Sequence, residues 1–375
     1  MNSTLTKITT IEAICFIVIS TLNRIILNLP QQIIHSCGSS SLLNVAYISI
    51  IAIIITFIII KLFKNFTSYD IIDISEFIGG PIFKKIIGVI ICLYLIAYSS
   101  FLVRNFSDVI NCIYYRETTF IFLLLFFVGT AFISNLFGKK SIFRVNVVIT
   151  TIMMISLIIT FISVFPNIVW QRIFPIWGNG LSSTFLSGIG NISSFNGLVL
   201  IYFVCPFLAE KNAFKKVSIL SIVIISVLLF VSIACLLLSL SFSNSLKDIS
   251  SFYTLITNNE FGDFFQHPEA LFMSTWILSV ISFLNLMVLL VLNFSKKILQ
   301  INNYKIILLV ICITIFVLAL IPHNIIEAQK LEDFIYRWIN IPLAIIIFPI
   351  ILIIANIKFK KRAANSNMRK DLNYE

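Results

Sequence analysis

The chain has 375 residues, 59% of them hydrophobic and 11% charged, with a mean hydropathy of +1.03. Soluble domains carry about 25% charged residues, so a fold of this size solvated by water is excluded and lipid is the solvent that remains. The net charge of +11 does not mark a nucleic-acid face, because the cations fall between apolar runs rather than on one surface.

Lys7 is followed by an apolar stretch with no small-x-small cleavage site after it, so residues 10–33 read as a first membrane helix and not as a removable signal. Further apolar runs of spanning length follow at 43–63, 86–107, 118–136, 142–165, 184–208, 216–241, 269–294, 304–321 and 336–357. In hydrocarbon every backbone polar group must be paired within the protein, and these runs lack the alternation of a membrane β-strand, so each is expected to be a helix. The expected fold is all-α and integral to the membrane, with about ten transmembrane helices in one domain over 1–362 and a basic cytoplasmic tail at 363–375.

Between the helices, the loop at 64–85 mixes apolar and acidic residues and reads as a short amphipathic helix along the membrane surface. The loop at 242–268 is polar and mildly acidic. The chain after Asn356 is basic and expected to lack fixed structure, either held near anionic headgroups or acting as an ordinary stop-transfer tail.

Topology follows from the 27 lysines and arginines: with the N-terminus inside, twenty fall in inside segments and six outside, and Arg24 lies within the first helix. Every inside loop is basic, so both termini are expected in the cytoplasm. Most of the seven cysteines sit inside apolar runs as small hydrophobes, and only Cys37 and Cys112 fall in outside loops.

Helices 1 and 6 differ from plain lipid-facing spans. Each carries polar or helix-poor residues in its middle, at Ser20–Arg24 and Ser193–Gly197, and a proline toward its exit, Pro30 and Pro206. Five helices separate the two, so they cross in opposite senses. That is the pattern of a 5+5 inverted repeat with repeats at about 10–165 and 184–357, whose broken helices place free backbone groups at the midplane. Close packing through small residues is the other reading of the same positions.

The ensemble resembles the spore germination permease family, the B subunit of germinant receptors, within the amino acid–polyamine–organocation superfamily. The likeness is carried by the Leu27-Asn28-Leu29-Pro30 close of helix 1, by ISEFIGGPIFKKIIG at 74–88, by IFPIWGNGLSSTFLSG at 173–188, and by HPEALFMSTWILSVISFLNLMVLLVLNFSKKIL at 267–299. The resemblance implies a LeuT-like fold, a site for a small germinant such as an amino acid, and partner receptor subunits in the spore's inner membrane.

Candidate ligand residues lie near the breaks. A cation deep in helix 1 costs roughly 2.5–3.5 kcal/mol to insert. Arg24 must therefore face the bundle, where it either clamps a germinant carboxylate or meets a structural partner; otherwise it snorkels outward. Asn23 is its neighbour. In helix 6, Ser193, Ser194, Asn196 and Gly197 offer hydroxyls, an amide and free backbone, and Phe195 is placed to close over a ligand. Tyr94 and Tyr98 share a face of helix 3, with Tyr98 at mid-depth. Trp276, Ser279, Ser282 and Asn285 form one drifting polar face of helix 8, for ligand contact at Trp276 and Ser279 or for interhelical hydrogen bonds.

No enzyme motif is present: there is no HExxH, P-loop or GxSxG, and His35, His267 and His323 are far apart. No cofactor or metal is expected. Buried acids look nearly absent, with Glu12 near the inside end, which argues against a carboxylate proton relay. The reading is a germinant-receptor membrane subunit that helps trigger germination; the alternative is an amino-acid permease with alternating access.

Overall fold

The computed structural model describes residues 7–114, 117, 119–210, 212–239, 251–257, 268–300 and 303–371. Arg116, Lys211, Lys247 and His267 lie outside these residues, as does the loop at 242–268 except for Ser251–Thr257 and Pro268. Among the described residues the architecture is helical, and the strand-like pairing is a single parallel bridge between Ile8 and Leu208.

The helices are α1 (Thr10–Leu27), α2 (Leu29–Cys37), α3 (Ser41–Phe63), α4 (Ile71–Ile113), α5 (Phe120–Leu136), α6 (Lys139–Val164), α7 (Gly197–Val204), α8 (Ala213–Ser239), α9 (Ser251–Thr257), α10 (Pro268–Leu299), α11 (Tyr304–Ala319), α12 (Ile325–Phe334) and α13 (Phe348–Asp371). Among the described residues seven stretches are long and apolar enough to cross a membrane, and an eighth is the bent pair Ser182–Ser194 and Gly197–Phe207, which turns by 45°. The apolar helices α5 and α11 are shorter. Each of the ten apolar segments thus has a helical counterpart. α3 carries Ile50, Ile54 and Phe57 on its outer face while Val45, Ile48 and Ala52 are buried. A helix apolar on both sides is stable only where its outer face meets lipid.

Local chemistry sets the helix ends. Thr9 caps α1 by accepting from the Glu12 backbone N–H, and the Glu12 carboxylate accepts from the Thr9 N–H at 2.7 Å, a reciprocal pair that satisfies two orphan donors. Asp70 caps α4 through the N–H groups of Ile72 and Asp73 at 3.1 and 2.9 Å. Gly80, with φ +75°, breaks α4 just before Pro81, which could not continue an ideal ladder.

Four expectations change. The first helix is continuous through Ser20–Arg24 and breaks at Asn28 (φ −147°, ψ −3°), because Pro30 opens α2 at its first turn. The segment at 71–79 is not a surface helix: Ile71, Ile72, Ile74 and Ser75 are buried, and Lys297 binds Asp70 and Asp73 at 2.5 and 2.7 Å. α4 runs on to Ile113, past the expected end at 107, and inside it Arg104 pairs with Asp108 at 2.8 Å and donates to the Ala319 carbonyl at 3.0 Å. The basic tail continues the final helix to Asp371.

The bundle has two ends of different character. At one, Lys7 donates to the carbonyls of Pro206 and Leu208, Lys358 donates to Ile78, and Lys297 holds Asp70. At the other lie the exposed Trp170, Trp177 and Trp338. Amphipathic rings of this kind favour the headgroup level of a bilayer.

Candidate functional site

The site is built where the bent span comes apart. The stretch Ser187–Ser194 winds as a tight 3₁₀ helix, Phe195 leaves helical geometry (φ −88°, ψ 59°), and α7 starts at Gly197. α1 packs directly against the restart. A Cβ on Gly197 would lie 2.7 Å from the Ile17 side chain and 3.0 Å from Ile225, so only glycine allows that approach. Irregular backbone at this depth is tolerated only if its polar groups are satisfied in protein. Above the break Asn44 does this, donating to the carbonyls of Thr184 and Gly188 at 2.7 and 3.0 Å and accepting from Asn191 at 2.9 Å.

Arg24, 1% exposed, reaches across to the break and donates to the Ser193 carbonyl at 3.3 Å. Its guanidinium lies over the Tyr336 ring, 3.4 Å from the centroid. Two carboxylates face it: Glu332 with 3.7 Å between Oε1 and Nε, and Asp333 with 3.6 Å between Oδ1 and Nη2. Both distances exceed a hydrogen bond. Glu332 is 2% exposed, and its Oε2 accepts from Asn105 of α4 at 2.5 Å. Asp333 is held by Gln32 of α2 at 3.0 Å. On the far side of the break Asn340 donates to Asn196 at 2.9 Å. Tyr336 and Asn340 lie on a π-helical turn, Ile335–Asn340, that joins α12 to the last span.

Several buried polar atoms in this group make no hydrogen bond of ordinary geometry: Thr21 Oγ1, Arg24 Nε, Ser194 Oγ, Asn196 Nδ2, Glu332 Oε1 and the Tyr336 hydroxyl, although Tyr336 lies beside Glu332 and Tyr98, and Asn196 beside Tyr98. Buried polar atoms are ordinarily paired, so a concentration of unpaired ones marks a place where a polar ligand can be received.

The sequence-predicted residues divide into three sets. Arg24, Ser193, Ser194, Phe195, Asn196 and Gly197 come together at the break. Tyr98 joins them through aromatic contacts with Tyr336 and Phe283, with ring centroids 5.2 and 5.1 Å away, but its hydroxyl already donates to the Ser20 carbonyl at 3.2 Å. Asn23 and Ser279 bond each other: the Ser279 hydroxyl donates to Asn23 Oδ1 at 2.6 Å, and Asn23 Nδ2 donates to the Ser279 carbonyl at 3.3 Å, tying α1 to α10. Trp276 lies one turn away in an aromatic pack with Phe106 and Phe272, at centroid distances of 4.6 and 6.2 Å. Further along that face Ser282 donates to Asn146 at 2.9 Å and Asn135 donates to the Asn285 carbonyl at 3.2 Å, so the stripe binds helices together.

Buried acids are therefore present: Glu332, Asp70 and Asp108 are 2%, 1% and 8% exposed. Glu332 escaped sequence reasoning because the acidic pair Glu332-Asp333 interrupts the apolar run and sets the last helix late; Tyr336 and Asn340 fall at the start of the expected span 336–357, where nothing in the run marks them as part of a site. The available signal was Arg24 itself, since a buried cation needs an anion and few acids flank a span.

The chain matches the family described as spore germination protein, the spore permease family, over residues 7–328. It belongs to that family. Spore germination protein B2 of Bacillus subtilis is 21% identical over 234 residues, covering 61% of this chain and 64% of that protein. The chain thus matches just under two thirds of that relative's length. The family match ends before Glu332, so the acidic half of the cluster lies beyond the matched stretch.

Proposed function

We propose that this spore germination family member is the membrane subunit of a germinant receptor. It binds a small germinant of the amino-acid class at the break between Ser194 and Gly197 and helps trigger germination with partner receptor subunits. The supporting observation is Arg24, buried against unwound backbone with its Nε unpaired. A guanidinium so placed suits the carboxylate of an amino acid. The ten helical segments, with the first span broken at Asn28 and the sixth at Phe195–Asn196, suit a LeuT-like 5+5 arrangement, and the lysine-rich end suits a cytoplasmic face of the spore inner membrane carrying both termini. Binding acts by favouring one of two conformations of the broken span, with no chemical step.

The test is germination of spores carrying Arg24→Ala or Arg24→Lys against a panel of amino acids, with the membrane level of the protein checked by immunoblot. Loss of the response to one amino acid, or a shift to much higher concentration, with the protein retained, is the expected result. An unchanged response moves the site away from Arg24 to Ser193–Gly197 and Tyr98. Saturable uptake of labelled amino acid into vesicles would instead make the chain a working permease.

A further inference from the structure

We infer that the site selects a zwitterion, with Glu332 as the residue that requires an ammonium group on the ligand. The inference rests on the germinant reading above and adds the second half of the ligand.

Charge balance sets the selection. The buried part of the cluster holds one cation, Arg24, and one anion, Glu332, at 1% and 2% exposure. They sum to zero. Asp333 adds a second carboxylate at the rim, 3.6 Å from Arg24; its side chain is 32% exposed, so water screens it, and it accepts from Gln32. From the other packed elements the facing groups are neutral: Tyr94, Tyr98 and Asn105 on α4, Tyr336 on the π-turn, and Asn196 at the break. Lys330 and Arg337 are exposed to the exterior.

A simple carboxylate bound to Arg24 would leave the Glu332 charge buried and unpaired. A simple amine bound to Glu332 would leave Arg24 only the partly exposed Asp333, 3.6 Å away. An uncompensated charge in a water-excluded site is strongly disfavoured. A ligand carrying both groups keeps the sum at zero and exchanges one loose contact for two close ones. The geometry is ready for that exchange: Arg24 Nε and Glu332 Oε1 stand 3.7 Å apart and neither makes a hydrogen bond of ordinary geometry, while Asn105 holds the other oxygen of Glu332 at 2.5 Å and fixes the carboxylate. A polyol or nucleoside offers no charge to either group and leaves the ion pair in place.

The experiment uses the full chain in nanodiscs and isothermal calorimetry. A panel of neutral L-amino acids is titrated first. The one that binds is then compared with its desamino acid and its decarboxylated amine. Both analogues are expected to bind roughly 10- to 100-fold more weakly, the loss expected for one charge-assisted contact. In Glu332→Gln, which keeps the shape and removes the charge, the amino acid weakens by a similar factor and its advantage over the desamino acid disappears; Glu332→Asp retains the advantage. A wild-type protein that binds the desamino acid as tightly as the amino acid overturns the inference, as does a folded Glu332→Gln protein with the wild-type ratio. The wild-type comparison decides alone if the glutamine variant does not fold. Binding of no amino acid in the panel defeats the germinant reading itself, a result distinct from binding without discrimination.

Discussion

At the scale of single residues, the site depends on two positions with little freedom. Gly197 has no room for a methyl group, with Ile17 and Ile225 in the way. Gly197→Ala is expected to destabilise the protein by about 1–3 kcal/mol through overpacking, read as a lower melting temperature in detergent. Asn105 is the fixed partner of Glu332, and Asn105→Ala is expected to leave that carboxylate short of a donor, at about 1–3 kcal/mol in the same melt. Arg24 was legible from depth alone, since a cation so far into a helix must have a reason. Its partners were not: hydropathy reads runs, and Glu332 and Asp333 lie between the runs at 304–321 and 336–357, so the residues that matter most to Arg24 are placed outside the membrane by the same rule that finds the spans. Asn23 and Ser279 illustrate the converse. Both are polar residues in apolar helices, and a sequence cannot distinguish a side chain aimed at a ligand from two aimed at each other.

At the scale of elements, the helices were readable and their breaks less so. The bent span was visible because Gly, Ser and Asn cluster where α7 restarts. The first helix was misplaced at its break because polarity at Ser20–Arg24 outweighed the stronger rule that a proline opens a new helix; the turn comes at Asn28. The stretch before Gly80 was read as surface because it carries two aspartates, which instead close on Lys297 from the neighbouring α10. That clasp has a measurable weight. Lys297→Met leaves Asp70, 1% exposed, without its cation and is expected to cost roughly 3 kcal/mol in thermal or denaturant unfolding. Adding Asp70→Asn should recover part of the loss, and a double-mutant cycle with no coupling energy would show that the pair contributes nothing.

For the whole molecule, the distribution of lysine and arginine predicts which end faces the cytoplasm. The prediction is checked by single cysteines at Asn179 and Lys361, both exposed and at opposite ends of the bundle, on a background with Cys112 replaced by serine. A membrane-impermeant maleimide applied to intact cells should label position 179 and not position 361; the opposite result would invert the topology.

Ile8 donates to the Phe207 carbonyl at 2.8 Å and accepts from Ala209 at 3.1 Å, while Lys7 grips the carbonyls of Pro206 and Leu208. The short helix α7 is therefore anchored at its far end to the start of the chain, and its near end is the break that Arg24 touches. Any shift of α7 on filling the break is passed through these bonds to Lys7 and Ile8. Residues 7 and 8 should thus move when the break is occupied, which makes the bridge at Ile8 the place to hang a spectroscopic label that reports on the site at the other end of α7.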